Sequence, residues 1–180
     1  MDLNNNTEKD FIKALYDEYA NDILIFLYRM TKDYQLSCDL LQDTFLNFIK
    51  KASENKIKDK NKAKTYLFQT AKNLFINNYR KLKKFVVISY DDSIDTREET
   101  TNPEENYISE EDENYKEKVL NELLEYLDNY EKTLIVLRYQ SNLKIEEIAE
   151  IIDKSPSSAT RALQKIQKKL LKIAKEKKII

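Results

Sequence analysis

Toward the end of the chain, Ser157, Arg161, Gln164 and Lys168 recur every three or four residues, with Ser158, Thr160 and Lys165 beside them. On a helix that spacing gathers guanidinium, ammonium, amide and hydroxyl groups on one face. Such groups suit DNA, where Arg161 can take guanine bidentately and the lysines can neutralise phosphates. An ordinary amphipathic helix with a solvated lysine face would show the same period, so this stretch alone leaves both readings standing. A second set, Asn73, Asn77, Tyr79, Arg80 and Lys81, followed by Lys83 and Lys84, interleaves cations with amide and aromatic side chains. Cations serve phosphates, and amides and aromatic rings serve unstacked bases.

Helices must carry both sets. Phe11, Leu15, Tyr19, Ile23, Phe26 and Met30 fall on one face of a first helix, and Leu41, Phe45, Phe48 and Ala52 on one face of a second. Tyr66, Thr70, Asn73, Asn77 and Arg80 form a polar stripe on a third, opposite Leu67, Ala71, Leu74 and Asn78. Val119, Leu123, Tyr126 and Leu127 open a new helical series. Ile148, Ile151 and Ile152 belong to a short helix starting near Ile145. Ser155-Pro156 then supplies an N-cap and a proline at the first helical position, where a missing N–H costs nothing. Pro156, Ala159, Leu163, Ile166 and Leu170 follow at spacings that predict a core-facing stripe. A short helix, a tight turn and a second helix with small residues at its start make a helix-turn-helix pattern. Only Phe85-Val86-Val87-Ile88 reads as strand-like, in a loop context. The fold class is all-α.

Composition narrows the chemistry. The 180 residues contain no glycine and no histidine. Glycine-dependent phosphate loops are therefore excluded, and so are the commonest general base and metal ligand. Cys38 is the only cysteine, which rules out a disulfide framework and a thiolate zinc cluster and suits a reducing cytoplasm. The longest apolar stretch, Ile23 to Tyr28, is far short of the ~20 residues that cross a bilayer. No signal peptide is recognisable, so no membrane association is expected. No enzymatic activity, cofactor or metal is expected either.

The formal net charge of −1 hides a separation of sign. Residues 85–116 carry eleven acidic side chains against Arg97 and Lys116, and the basic excess lies on either side. The stretch from Asp91 to Asn114 shows no sustained period and contains Pro103. Such a composition cannot bury enough apolar surface to offset its ordering entropy. The expected organisation is two small helical domains, 1–84 and 117–180, joined by a flexible acidic linker, 85–116. That linker, fully extended, could reach up to ~110 Å.

Three stretches carry a specific resemblance. Leu134–Tyr139 (LIVLRY), Glu146–Ile152 (EEIAEII) and Ser155–Ala159 (SPSSA) are similar to region 4 of sigma-70-type RNA polymerase sigma factors. Asp39–Leu46 (DLLQDTFL) resembles their region 2.2, commonly D-L-x-Q-E-T-F, with Asp43 where glutamate is usual. Ala63–Lys84 is similar to regions 2.3 and 2.4, with Tyr66 where the family usually has tryptophan. The whole is similar to the extracytoplasmic-function type. The resemblance implies that Asp39, Leu40, Gln42, Asp43 and Asn47 contact core polymerase through the β′ clamp helices. It implies that Tyr66, Asn73, Asn77, Tyr79, Arg80, Lys81, Lys83 and Lys84 contact the −10 element, Tyr66 being as well explained by core packing. It assigns Ser157, Ser158, Thr160, Arg161, Gln164, Lys165 and Lys168 to the −35 element, with nearby surfaces on the β flap. The implied partners are core RNA polymerase and promoter DNA, with an anti-sigma factor as an open further one. Lys144 departs from the pattern, because the family often caps the short helix there with Ser or Thr. A dimeric helix-turn-helix regulator and a helical adaptor with merely solvated lysine faces remain rival readings. The regulator would leave the 39–45 motif and the basic, asparagine-rich helix without a role.

Overall fold

The computed structural model describes residues 3–53, 57, 59–89 and 111–179. Seven α-helices and one π-helical turn are present among them, and no strand. The helices are α1 (Leu3–Thr31), α2 (Tyr34–Ser53), α3 (Lys60–Ser89), α4 (Glu111–Glu125), α5 (Asn129–Ile135), α6 (Ile145–Ile151) and α7 (Pro156–Glu176). The π turn, Val136–Gln140, follows α5 directly. Most of the acidic strip, 90–110, lies outside the described residues.

Local chemistry starts and stops these helices. Asp33 Oδ1 accepts from Leu36 N–H (2.9 Å) ahead of α2, and Asp59 Oδ1 from Lys62 N–H (2.9 Å) ahead of α3. Asp128 and Glu131 exchange a reciprocal capping box at α5. Ser155 Oγ accepts from Ser158 N–H (3.3 Å), and Pro156 opens α7 as expected. With no glycine to use, the chain adopts positive φ at Lys32, Asn142, Asp153 and Lys178, each just past a helix or the π turn. The π turn closes through Ser141 N–H on the Val136 carbonyl (3.1 Å), one residue wider than an α-helical bond.

Helices α1, α2 and α3 pack as a bundle around Leu15, Ile23, Phe26, Phe48, Leu67 and Phe68. The edge-on pair Phe26–Phe68 (6.1 Å) sits at its centre. Helices α4 to α7 enclose Leu124, Leu134, Leu137, Leu143, Ile148, Leu163 and Ile166. The buried residues of the two bundles form one continuous cluster. The bundles also touch directly, α3 against α6 and the end of α1 against α5 and the π turn.

Three sequence expectations change. Phe85–Ile88 continues α3 as helical backbone. Pro156 is exposed, so the buried stripe of α7 begins at Ala159. In the series that opens on Val119, Leu124 near the end of α4 and Leu127 just beyond it are buried, while Tyr126 between them faces out beneath the Lys177 ammonium (5.4 Å).

Candidate nucleic-acid interface

Helix α7 is the simplest surface. Ala159, Leu163 and Ile166 anchor it from below. Ser157, Arg161, Gln164, Lys165 and Lys168 stand in solvent above, and Ser158 and Thr160 are half-buried at the edge. Thr160 donates back to the Pro156 carbonyl (2.9 Å), and Ser155 and Ser158 share a hydroxyl contact (2.9 Å). The Arg161 Nε–H rests on the Ser157 carbonyl (3.3 Å), a weak local bond that a guanine edge can displace. Farther along, Lys169 is held by Glu131 (2.5 Å) and Lys172 by Glu176 (3.7 Å).

Its supporting helix has an unusual start. Lys144 provides no side-chain cap, yet the Glu147 carboxylate accepts from the Lys144 N–H (2.7 Å). The N3 glutamate thus supplies one half of a capping box, and the half that a Ser or Thr would supply is missing. Arg138 donates to the Leu143 carbonyl (2.8 Å), tying the π turn to the loop before α6.

The predicted readers of α3 divide in two. Asn73, Asn77, Tyr79, Arg80, Lys81, Lys83 and Lys84 are exposed from its middle onward. The Tyr79 ring lies 6.0 Å from Phe75, and the Lys83 ammonium sits 5.1 Å above it. Tyr66 does not join them. It is half-buried with its ring 6.1 Å from Phe48, the packing role that the sequence left as its alternative.

On α2, Asp39, Gln42 and Asp43 are exposed and Asn47 is partly so. Leu40 does not reach this surface, being 5% exposed in the core. Two apolar side chains that the sequence reading missed flank the acidic row, Leu46 (53% exposed) and Ile49 (40%). Leu46 lies four residues after Gln42 and Ile49 three after Leu46, so helical spacing alone would have found them. An acidic row edged by exposed aliphatic side chains suits a protein partner better than DNA.

Between the bundles, the Lys72 ammonium is buried (8% exposed), donates to the Ile151 carbonyl (2.5 Å) and lies 4.0 Å from Asp153. Desolvation holds its pKa below the ordinary lysine value, partly countered by Asp153. Lys64 reaches Glu147 (3.1 Å), and Gln69 donates to Asp153 (3.1 Å). At the far end, Arg29 contacts Gln140 (3.1 Å) and Asn121, and Lys32 also reaches Asn121 (3.2 Å). None of these residues was assigned a contact between the bundles from the sequence. Among the described residues no cluster of three or more His, Cys, Asp or Glu side chains could hold a metal ion. Nor is any helix long and apolar enough to cross a membrane.

These surfaces coincide with known family patterns. Residues 15–85 match the family model for sigma-70 region 2, and residues 118–170 that for sigma-70 region 4. The ECF RNA polymerase sigma factor SigM of Bacillus subtilis is 35% identical over 160 residues, 88% of this chain and 92% of SigM. The chain belongs to the sigma-70 family of RNA polymerase sigma factors, in its extracytoplasmic-function branch. This sigma factor is also similar to RNA polymerase sigma factor YlaC of the same organism, 30% identical over 95% of this chain and 98% of YlaC. Its fold matches that of the sigma factor RpoE from Bartonella quintana, solved in complex with the anti-sigma factor NepR. The TM-score is 0.70, at 20% identity over 93% of this chain and 98% of that one. As a sigma factor it acts with core RNA polymerase and promoter DNA, in transcription initiation.

Proposed function

We propose that this sigma factor divides its work among three helices. Helix α2 docks on core polymerase through Asp39, Gln42, Asp43 and Asn47, with Leu46 and Ile49 filling the edge of the contact. From Asn73 onward, α3 holds the −10 element through Asn73, Asn77, Tyr79, Arg80 and Lys81, with Lys83 and Lys84 against phosphates. Helix α7 reads the −35 element through Ser157, Arg161, Gln164, Lys165 and Lys168, with Ser158 and Thr160 at its rim. The corresponding units are 1–84 and 117–180, connected through 85–116. Leu40 and Tyr66 act indirectly, by fixing α2 and α3 in the core.

The observation that carries this reading is the disposition of α7. Ala159, Leu163 and Ile166 are buried beneath it, and its Arg, Gln and Lys side chains project on the other side, behind a capped turn. Holding unpaired bases stabilises the open duplex by the difference in affinity for that state. No chemical step is asked of this chain, since phosphodiester formation belongs to polymerase, and the site of action is the cytoplasm. The RpoE–NepR complex supports an anti-sigma protein as a further partner.

Run-off transcription with purified core polymerase tests the proposal. Added chain should direct initiation from a fixed start on its cognate promoters. Asp43→Lys should weaken core binding at least about tenfold, ~1.4 kcal/mol, and leave affinity for an isolated −35 duplex unchanged. Equal loss of both would remove α2 from the docking role. Sequence-selective duplex binding with no initiation would favour the dimeric-regulator reading.

A further inference from the structure

Tyr139 stands outside all three working surfaces, yet it is 56% exposed. It belongs to the π turn, and its hydroxyl accepts from the Gln167 side-chain amide on α7. The rest of the turn faces inward. Val136 and Leu137 are buried, Arg138 donates to the Leu143 carbonyl (2.8 Å), and Gln140 accepts from Arg29 (3.1 Å). A π turn widens the helical register by one residue and recurs at functional sites. Here it presents a phenol to solvent beside the exposed face of α7.

The place of Gln167 on α7 decides what Tyr139 can meet. Gln167 is exposed and lies seven residues, about two turns, after Thr160 and three after Gln164. It therefore marks a flank of the reading face, level with Gln164 and Lys168. A helix with its side chains is about 10–12 Å across, and the major groove is about 12 Å wide. With α7 in the groove, a group held against its flank meets the sugar-phosphate wall and not a base edge. The opposite flank differs. Lys169, two residues on and so about 200° around the helix, is already held by Glu131 (2.5 Å).

The chemistry of the hydroxyl selects the ligand. A phenol donates one proton and accepts through its oxygen. Because the Gln167 amide donates to that oxygen, the hydroxyl proton is left for an acceptor. A phosphodiester oxygen accepts only and is charged, which strengthens the bond. Tyrosine is among the side chains that hold DNA phosphates.

We propose that Tyr139, oriented by Gln167, holds a backbone phosphate of the −35 duplex at one wall of the groove and so sets how α7 lies in it. This rests on the reading of α7 given above. As a neutral donor to the backbone, Tyr139 adds affinity without choice of sequence and without neutralising a phosphate.

Holoenzyme reconstituted from the full chain and core polymerase tests it on promoter fragments. Tyr139→Phe keeps the ring and removes the hydroxyl. It should weaken binding about three- to tenfold, within the range of one hydrogen bond. The loss should be equal on matched and mismatched −35 sequences, with the salt slope unchanged. No loss overturns the proposal, and so does a loss confined to the matched sequence, which would make Tyr139 a base reader. Methylphosphonate links, which replace a charged phosphate oxygen, are then placed one at a time along both strands of the −35 element. At one position the link should weaken wild type but weaken Tyr139→Phe no further. Additive effects at every position overturn the contact and mark the substitution as merely structural. Gln167→Ala should weaken wild type by a smaller factor and Tyr139→Phe not at all; equal loss in both backgrounds overturns the orienting role. Wild-type holoenzyme blind to the −35 sequence would sink the reading of α7 and this contact together. Additive effects in a holoenzyme that does select its −35 sequence sink this contact alone.

Discussion

Helices α3 and α7 are both long, basic and amphipathic, yet they spend their cations differently. On α7 every predicted reader faces solvent or the solvent edge, and the buried side is purely apolar. On α3 the exposed readers begin at Asn73, and the turns up to that point place Lys64 and Lys72 against the other bundle. A lysine on α7 interacts through salt-screened water. Lys72 is largely buried, where the same charge is costly unless matched. Cation count thus says little about which helix faces DNA; what lies opposite each cation decides.

The sharpest way to break the comparison is to remove what seats α3. Phe68 is fully buried against Phe26, so Phe68→Ala should cost about 3–5 kcal/mol. Urea unfolding measures it, and a loss below ~1 kcal/mol would mean that α3 is not fixed by this core. Next comes the reading face of α7. Arg161→Ala should lower discrimination between matched and mismatched −35 duplexes by about 1–3 kcal/mol. Lys168→Ala should instead weaken both duplexes alike and reduce the salt slope by about one. Equal weakening on both duplexes by Arg161→Ala would make it a phosphate contact as well.

The smallest effect concerns Lys72. Its folded-state pKa lies below the unfolded value, so the folded protein disfavours the proton. The resulting penalty is fully present at neutral pH and is relieved as pH rises through the folded pKa toward 10.5, the ordinary lysine value. Stability of the wild type relative to Lys72→Met should therefore improve between pH 8 and pH 10. Parallel urea midpoints that keep a constant gap would show that Lys72 is better solvated than its position indicates.

Much of this was legible in sequence because it is written in short-range spacing. Ser155-Pro156 marks the start of α7, and the 159–163–166 stripe marks its buried side. What escaped depends on longer range or on ambiguity. Phe85–Ile88 is too short and too β-branched for periodicity to separate helix from strand. Leu40 reads as part of a motif, but only packing of α2 on its neighbours turns it inward. The π turn has no residue signature, since one wider hydrogen bond is a matter of backbone alone. Lys72 looks like any lysine in a basic helix until α6 is laid across it.

The four left-handed stops at Lys32, Asn142, Asp153 and Lys178 carry a practical corollary. A lysine tolerates that backbone less well than glycine does, at a cost of roughly 1–2 kcal/mol, whereas Asn142 and Asp153 are of types that adopt it more readily. Lys32→Gly or Lys178→Gly would release this without touching a reading face, although Lys32 would give up its amide contact with Asn121. At Asp153 the residue also holds Gln69, so a change to glycine would give up that contact between the bundles. A thermally hardened form of this protein is therefore within reach of single codons, and the choice of codon decides whether hardening also alters readiness to act.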